Sequence, residues 1–147
     1  MLRHEPLENG NWVYTQCDGY VRVSGMTKTK IAYHDRNGKF KWIRKESVFA
    51  IPITEKILRD NGFIDGELPG VDNEPCWTLT EMDNIHNQRF VRLYWFDGVK
   101  NKENGILMID VKGPYTTIHR AIRSVHELQI AMRFGMMKAE ITMQTTV

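Results

Sequence analysis

The stretch from Thr117 to Phe134 reads TIHRAIRSVHELQIAMRF. Ile118, Ala121, Ile122, Val125, Leu128 and Met132 recur at three- and four-residue steps, the spacing that places side chains on one face of an α-helix. The periodicity predicts a single long helix over the whole stretch. Full burial of a large apolar side chain is worth roughly 1.5–3 kcal/mol, so five of them offer on the order of 10 kcal/mol before chain entropy opposes it. That is enough to anchor a small domain. Gly113-Pro114 interrupts what precedes, Thr116 or Thr117 is placed to cap the first turn, and Gly135 suits a left-handed stop. Arg123 and Glu127, four apart, are spaced to pair on the exposed side. Ile130 and Phe134 fall opposite the main stripe. Either the tail Ala139 to Val147 folds back over them, or they form an exposed patch that meets a partner protein.

Around this helix the composition sets bounds. A chain of 147 residues supports one ordinary domain, or two very small ones sharing an interface. Its 41% hydrophobic and 10% aromatic content is that of a folded globular protein. No apolar run approaches the length of a membrane span, and Met1 to Gly10 (MLRHEPLENG) has no apolar core of the signal-peptide kind. Cys17 and Cys76 are expected as free thiols in a reducing cytoplasm. Net charge is only +2, but it is unevenly spread. Between Tyr20 and Lys45 eight Lys or Arg stand against one acid, Asp35, whereas Glu46 to Asp110 holds twelve acids and six bases. A basic block followed by an acidic one points to an anionic partner for the first block, or to two blocks that face each other.

The first half reads as β-structure. Asn11 to Gln16, Tyr20 to Met26, Thr29 to Tyr33, Lys39 to Ile43 and Ser47 to Ile51 are short, rich in aromatic and β-branched residues, and separated by turns. Asp35-Arg36-Asn37-Gly38 is a hairpin signal, because Asn-Gly accepts the positive φ of a tight turn. Alternation puts Phe40 and Trp42 on one face of their strand and Lys39 and Lys41 on the other. Five such strands imply a small antiparallel barrel of the Src-homology-like kind. Pro52 to Phe63 is a punctuated short helix, with Thr54 as its cap, Ile53 and Leu58 as a hydrophobic staple and Gly62 as its stop. Beyond it, Ile64 to Pro75 reads as loop, Trp77 to Thr80 as a short strand and Phe90 to Phe96 as the strongest strand in the chain. Ile106 to Val111 is its antiparallel return.

Three places carry a resemblance. Gly10-Asn11-Trp12-Val13-Tyr14, Ile51 to Phe63 (IPITEKILRDNGF) and Ser124 to Ile130 (SVHELQI) resemble a family of small uncharacterised proteins from gut anaerobes and their phages and mobile elements. Its members open on a G-N-x-V strand, carry I-P-L-T-E-x-x-L-x-x-N-G-F mid-chain and end in a V-H-E-L-Q-N-L helix. After that helix the family reads Y-F-A-L-T-G, whereas this chain continues Ala131-Met132-Arg133-Phe134-Gly135-Met136-Met137. The resemblance implies an architecture and a genomic neighbourhood, with no assigned activity.

Catalytic constellations are sparse. His126-Glu127 lacks the second His of the zinc-protease helix, since residue 130 is Ile. His119 and His126 would need further ligands such as Cys76 or Asp110. His126 and Gln129 read as hydrogen-bonding groups that fix the helix against the sheet. No glycine-rich phosphate loop, Cys-x-x-Cys pair or nucleophile elbow occurs. No metal, cofactor or enzymatic activity is therefore expected.

The sequence thus predicts an α+β protein. A small β-barrel subdomain (residues 1–53) precedes a unit (54–147) of short helix, antiparallel sheet and one long covering helix. The function expected is that of a non-enzymatic accessory protein contacting DNA or RNA through Arg22, Lys28, Lys30, Lys39, Lys41 and Lys45, with Tyr20, Tyr33, Phe40 and Trp42 interleaved. The alternative is an adaptor or inhibitor that binds a host or phage protein through Ile130 and Phe134.

Overall fold

A computed structural model describes residues 6–67, 75–82, 88–95, 107–113 and 117–144. These fall into two units. The first holds 6–51 together with 124–130 and 142–144; the second holds the described residues of 52–123 and 131–141.

In the first unit, strands β1 (Trp12–Thr15), β2 (Gly19–Arg22), β3 (Gly25–Met26), β4 (Lys30–His34), β5 (Phe40–Arg44) and β6 (Val48–Phe49) form two antiparallel sheets. Their orders are β2-β1-β6 and β3-β4-β5. Val13, Val21, Val48, Ile31 and Tyr33, with Val23, make a core to which both sheets contribute. Alternation is the cause: each strand turns every second side chain inward. The hairpin at Asp35 forms as read. Gly38 takes φ +80° and donates its N–H to the Asp35 carbonyl, and the Asp35 carboxylate accepts from the amides of Asn37 and Lys39.

The closed Src-homology-like barrel is not present; both sheets are open. Closure needs ladder hydrogen bonds all the way round. Here β3 and β6 are two residues each: the fifth expected strand, Ser47 to Ile51, shrinks to β6, which follows the 3-10 turn Lys45–Ser47. With so short a β6, the ladder beside β1 ends at Tyr14 and Thr15. Gln129 continues it: its Oε1 accepts from the Trp12 amide at 2.7 Å and its Nε2 donates to the Gly10 carbonyl at 3.0 Å.

In the second unit, helix α1 (Glu55–Asp60) begins as read, with the Thr54 hydroxyl accepting from the Ile57 amide at 3.2 Å. Strands β7 (Ile64–Glu67), β8 (Pro75–Met82), β9 (Gln88–Trp95), β10 (Leu107–Lys112) and β11 (Thr117–Ile122) build one antiparallel sheet in the order β11-β10-β9-β8-β7. Trp77, Val91, Leu93, Leu107, Ile109, Val111 and Ile122 share its buried face. Part of the expected loop after Phe63 is therefore strand β7, and β8 is longer than expected. Phe96 and Ile106 lie outside the described residues.

The long helix is the main correction. Thr117–Ile122 is strand β11, paired residue by residue with β10, and only Val125–Phe134 is helix (α2). Ser124 stands at its head: its carbonyl accepts the first helical bond from Leu128, and its hydroxyl donates to Glu127 at 2.9 Å. Arg123 precedes the helix, and Glu127 lies in its first turn. Gly135 is not the left-handed residue either; Met136 is, at φ +60°. Gly135 is needed for space, because a Cβ there would stand 2.2 Å from Val111 Cγ1. With two helices among the described residues, one of six residues and one of ten, the protein is mostly β rather than α+β.

Candidate functional site

The β4–β5 register sorts the basic block. Lys30 lies opposite Arg44, Ala32 opposite Trp42 and His34 opposite Phe40, so these six share one face; Ile31, Tyr33, Lys41 and Ile43 share the other. The first face looks outward. Phe40 is 50% exposed and Trp42 47%, unusual for large aromatics outside an interface. The floor beneath Trp42 is small: a Cβ on Gly25 would come 3.5 Å from Ala32 Cβ and 3.7 Å from Trp42 Cη2. The indole is therefore laid across the sheet. Phe40 packs edge-on against it at 5.8 Å between centroids, and His34 tilts against Phe40 at 5.2 Å.

Cations flank this aromatic row. Lys30 and Arg44 form one end of the face. Lys28 lies in the turn before β4, and Lys45 donates its amide to the Thr29 carbonyl at 2.9 Å, which ties it to the same turn. Lys39 is exposed beside Phe40, at the other end. The strands β3, β4 and β5 contain no acidic residue.

Two of the residues expected to bind nucleic acid are placed elsewhere. Lys41 points to the inner side, where its ammonium meets Asp18 at 3.1 Å and Asp35 at 3.3 Å. The hydrogen bonds that the Lys41 ammonium donates to these two carboxylates hold it above the ordinary lysine range. Asp18 is lowered chiefly by the Tyr33 hydroxyl, which donates to it at 2.6 Å, and Asp35 chiefly by the Lys39 amide. Burial and the Asp18 carboxylate push the Tyr33 phenol up to about 12. One cation already shared by two carboxylates offers little to a phosphate. Arg22 lies on the outer face of the other sheet, where it donates to the Gly10 carbonyl and covers the Trp12 ring at 5.9 Å. Tyr33 is core, and Tyr20, on the same strand as Arg22, packs on Tyr14 of β1.

The face also contains Arg44 and His34, which the sequence reading did not select. Arg44 has the parity of Phe40 and Trp42, so alternation alone would have chosen it over Lys41. On α2, Phe134 is 66% exposed and Ile130 half-buried, while Met137 and Ile141 of the following tail are buried. His126 is fully buried against the Ser124 hydroxyl, and His119 bonds Asp110 across the β10–β11 ladder. Among the described residues no three His, Cys, Asp or Glu are grouped to hold a metal, and no helix is long and apolar enough to cross a membrane.

The outer face of β3-β4-β5 is thus an aromatic and cationic sheet surface in a mostly β protein of two units. Comparison with protein-family models, with curated proteins and with solved structures finds no match for the chain.

Proposed function

We propose that the first unit binds single-stranded nucleic acid across the outer face of β3-β4-β5. One observation carries this reading: Phe40 and Trp42 lie exposed side by side, in line with Lys30 and Arg44, on strands with no acidic residue. Unpaired bases stack on exposed aromatic rings whatever their identity, and the phosphates between them need cations at the ends of the stack. Trp42 and Phe40 take the bases. Lys30 and Arg44 take phosphates at one end, with Lys28 and Lys45 beside them, and Lys39 serves the other end. A duplex, whose bases are already stacked on one another, gains nothing from the two rings.

Anisotropy of labelled single- and double-stranded DNA and RNA tests this. Single strands should bind in preference to duplexes. Stacking on an aromatic ring is worth about 1–3 kcal/mol per base, so Trp42→Ala should weaken binding about ten- to a hundredfold. Lys41→Ala should change it little. Equal binding of duplex and single strand, or indifference to Trp42→Ala, would remove the proposal. A protein partner is the second reading, supported by the exposure of Phe134 next to a half-buried Ile130 on α2.

A further inference from the structure

The sheet of the second unit has a second face, opposite its core. Cross-strand register lines up Thr78 of β8, Arg92 of β9, Asp110 of β10 and His119 of β11 in one row across four strands. The neighbouring rows add Tyr94 on one side, and Phe90 with Lys112 on the other. Four polar residues in one unbroken row are not required by the fold, whose core lies on the opposite side of the same strands.

Each member of the cluster has a definite chemical state. The His119 side chain is 61% exposed, and its Nδ1 bonds the Asp110 carboxylate, whose side chain is 28% exposed. That bond fixes the ring and leaves Nε2 facing away from Asp110, with no hydrogen-bond partner among the described residues. A carboxylate on Nδ1 stabilises the imidazolium that forms when Nε2 takes a proton. Burial raises the Tyr94 phenol and the Asp110 charge adds to it, so Tyr94 stays neutral beside the dyad. Arg92 stacks on the Phe90 ring at 4.9 Å, and its buried Nε has no hydrogen-bond partner among the described residues. The same guanidinium lines a hollow of about 390 Å³ with Thr78, Thr80, Cys76 and Gly66. That volume lies in the range of small-ligand pockets.

A base held by a carboxylate, an arginine next to it and a lysine one row away suit a phosphodiester. No side-chain nucleophile stands in the His119 row except the Thr78 hydroxyl, three strands from the imidazole. RNA is the phosphodiester that carries its own nucleophile. We propose that this face cleaves RNA by internal transesterification, with His119 as general base and Asp110 as its positioning residue. The 2′ oxygen attacks the adjacent phosphorus and its proton passes to His119 Nε2. The bond from phosphorus to the 5′ oxygen breaks, and the leaving oxygen takes a proton from the Lys112 ammonium. The products are a 2′,3′-cyclic phosphate and a 5′-hydroxyl end. Arg92 stabilises the charge that builds on the phosphoryl oxygens. The hollow beside Arg92 receives a flanking base.

The choice of substrate rests on the nucleic-acid reading of the first unit; the site does not. The experiment incubates the full chain with a labelled single-stranded RNA in EDTA, and separately with the same sequence as DNA, followed by end-group analysis. RNA should be cut to cyclic-phosphate ends and DNA left intact. His119→Ala, exposed and so free to fold, should lower the rate at least a hundredfold. Asp110→Asn should lower it too with RNA binding unchanged, and Asp110→Glu should restore part of the rate, a rescue that a merely structural role would not produce. Intact RNA, cleavage of the DNA, or cleavage that survives His119→Ala overturns the proposal. Anisotropy on His119→Ala keeps the two readings apart. Trp42-dependent binding without cleavage sinks only the catalytic site, whereas cleavage without Trp42-dependent binding sinks only the aromatic face.

Discussion

Tyr33 joins the core of the first unit to its charge. The ring is 1% exposed among valines and Ile31, and the hydroxyl emerges at Asp18, which shares Lys41 with Asp35. The phenol is raised from 10.0 to about 12, so its contribution to stability is fully present below pH 10 and is lost as pH rises from there through 12. Lys41, also raised, loses its contribution in the same alkaline direction. Asp18 and Asp35 are lowered and act at the other end: their contribution is present above the ordinary aspartate value and is lost as pH falls through their native values. Urea midpoints recorded against pH should therefore drop between pH 10 and 12. Tyr33→Phe should be less stable at neutral pH and show a flatter alkaline limb. An unchanged alkaline limb would mean that Tyr33 is not the group responsible. Alternation along β4 and β5 was legible in the sequence, but the meeting of Asp18 with Lys41, 23 residues apart, was not. It depends on how β2 and its turn pack on β4, which no local pattern encodes.

At the scale of elements, the reading of Thr117 to Phe134 failed for an identifiable reason. Ile118, Ala121 and Ile122 satisfy a helical spacing, yet Thr117–Ile122 has in β10 a partner strand of equal length, and six paired residues outweigh a local preference. The signal that marks the true start was present: Ser124 and Glu127 have the spacing of a capping box just before the apolar run. In the same way Thr54 was read as a cap and is one. The expected role of Gln129, fixing the helix to a sheet, also has a counterpart in its two bonds to Trp12 and Gly10, although the strand end it completes is defined only by the shortness of β6. The buried Ser124 hydroxyl donates to Glu127 and meets His126, and losing one such hydrogen bond costs about 0.5–1.5 kcal/mol. Ser124→Ala should lose stability in that range, and more than Thr117→Ala, since Thr117 is exposed on a strand. Ser124→Thr should restore most of the loss. Denaturant unfolding measures all three, and a larger effect at Thr117 would argue for a helix that begins there.

Over the whole molecule the charge asymmetry was legible, but not its division between sides of a sheet. Of the six cations picked from sequence, Lys28, Lys30 and Lys45 gather at one end of the β3-β4-β5 face; Lys39 is at the other end, Lys41 is held by two aspartates and Arg22 lies on a different sheet. Arg44 joins the first group through its pairing with Lys30. This arrangement predicts the salt dependence of binding. Each phosphate neutralised on a single strand adds about −0.7 to the slope of log K against log salt. Four cations at one end and Lys39 at the other give a slope of about −3.5, whereas all six sequence-selected residues and Arg44 acting together would give about −4.9. Titration at several salt concentrations should yield the shallower value, and Lys30→Ala with Arg44→Ala should reduce it by about 1.4. The same double change at Lys39 and Lys41 should remove at most one phosphate, about 0.7, because Lys41 is already neutralised inside the unit. A steep slope that falls equally with either pair would mean that charge is read from the whole basic block. In that case the exposed rings of Phe40 and Trp42 would need another explanation.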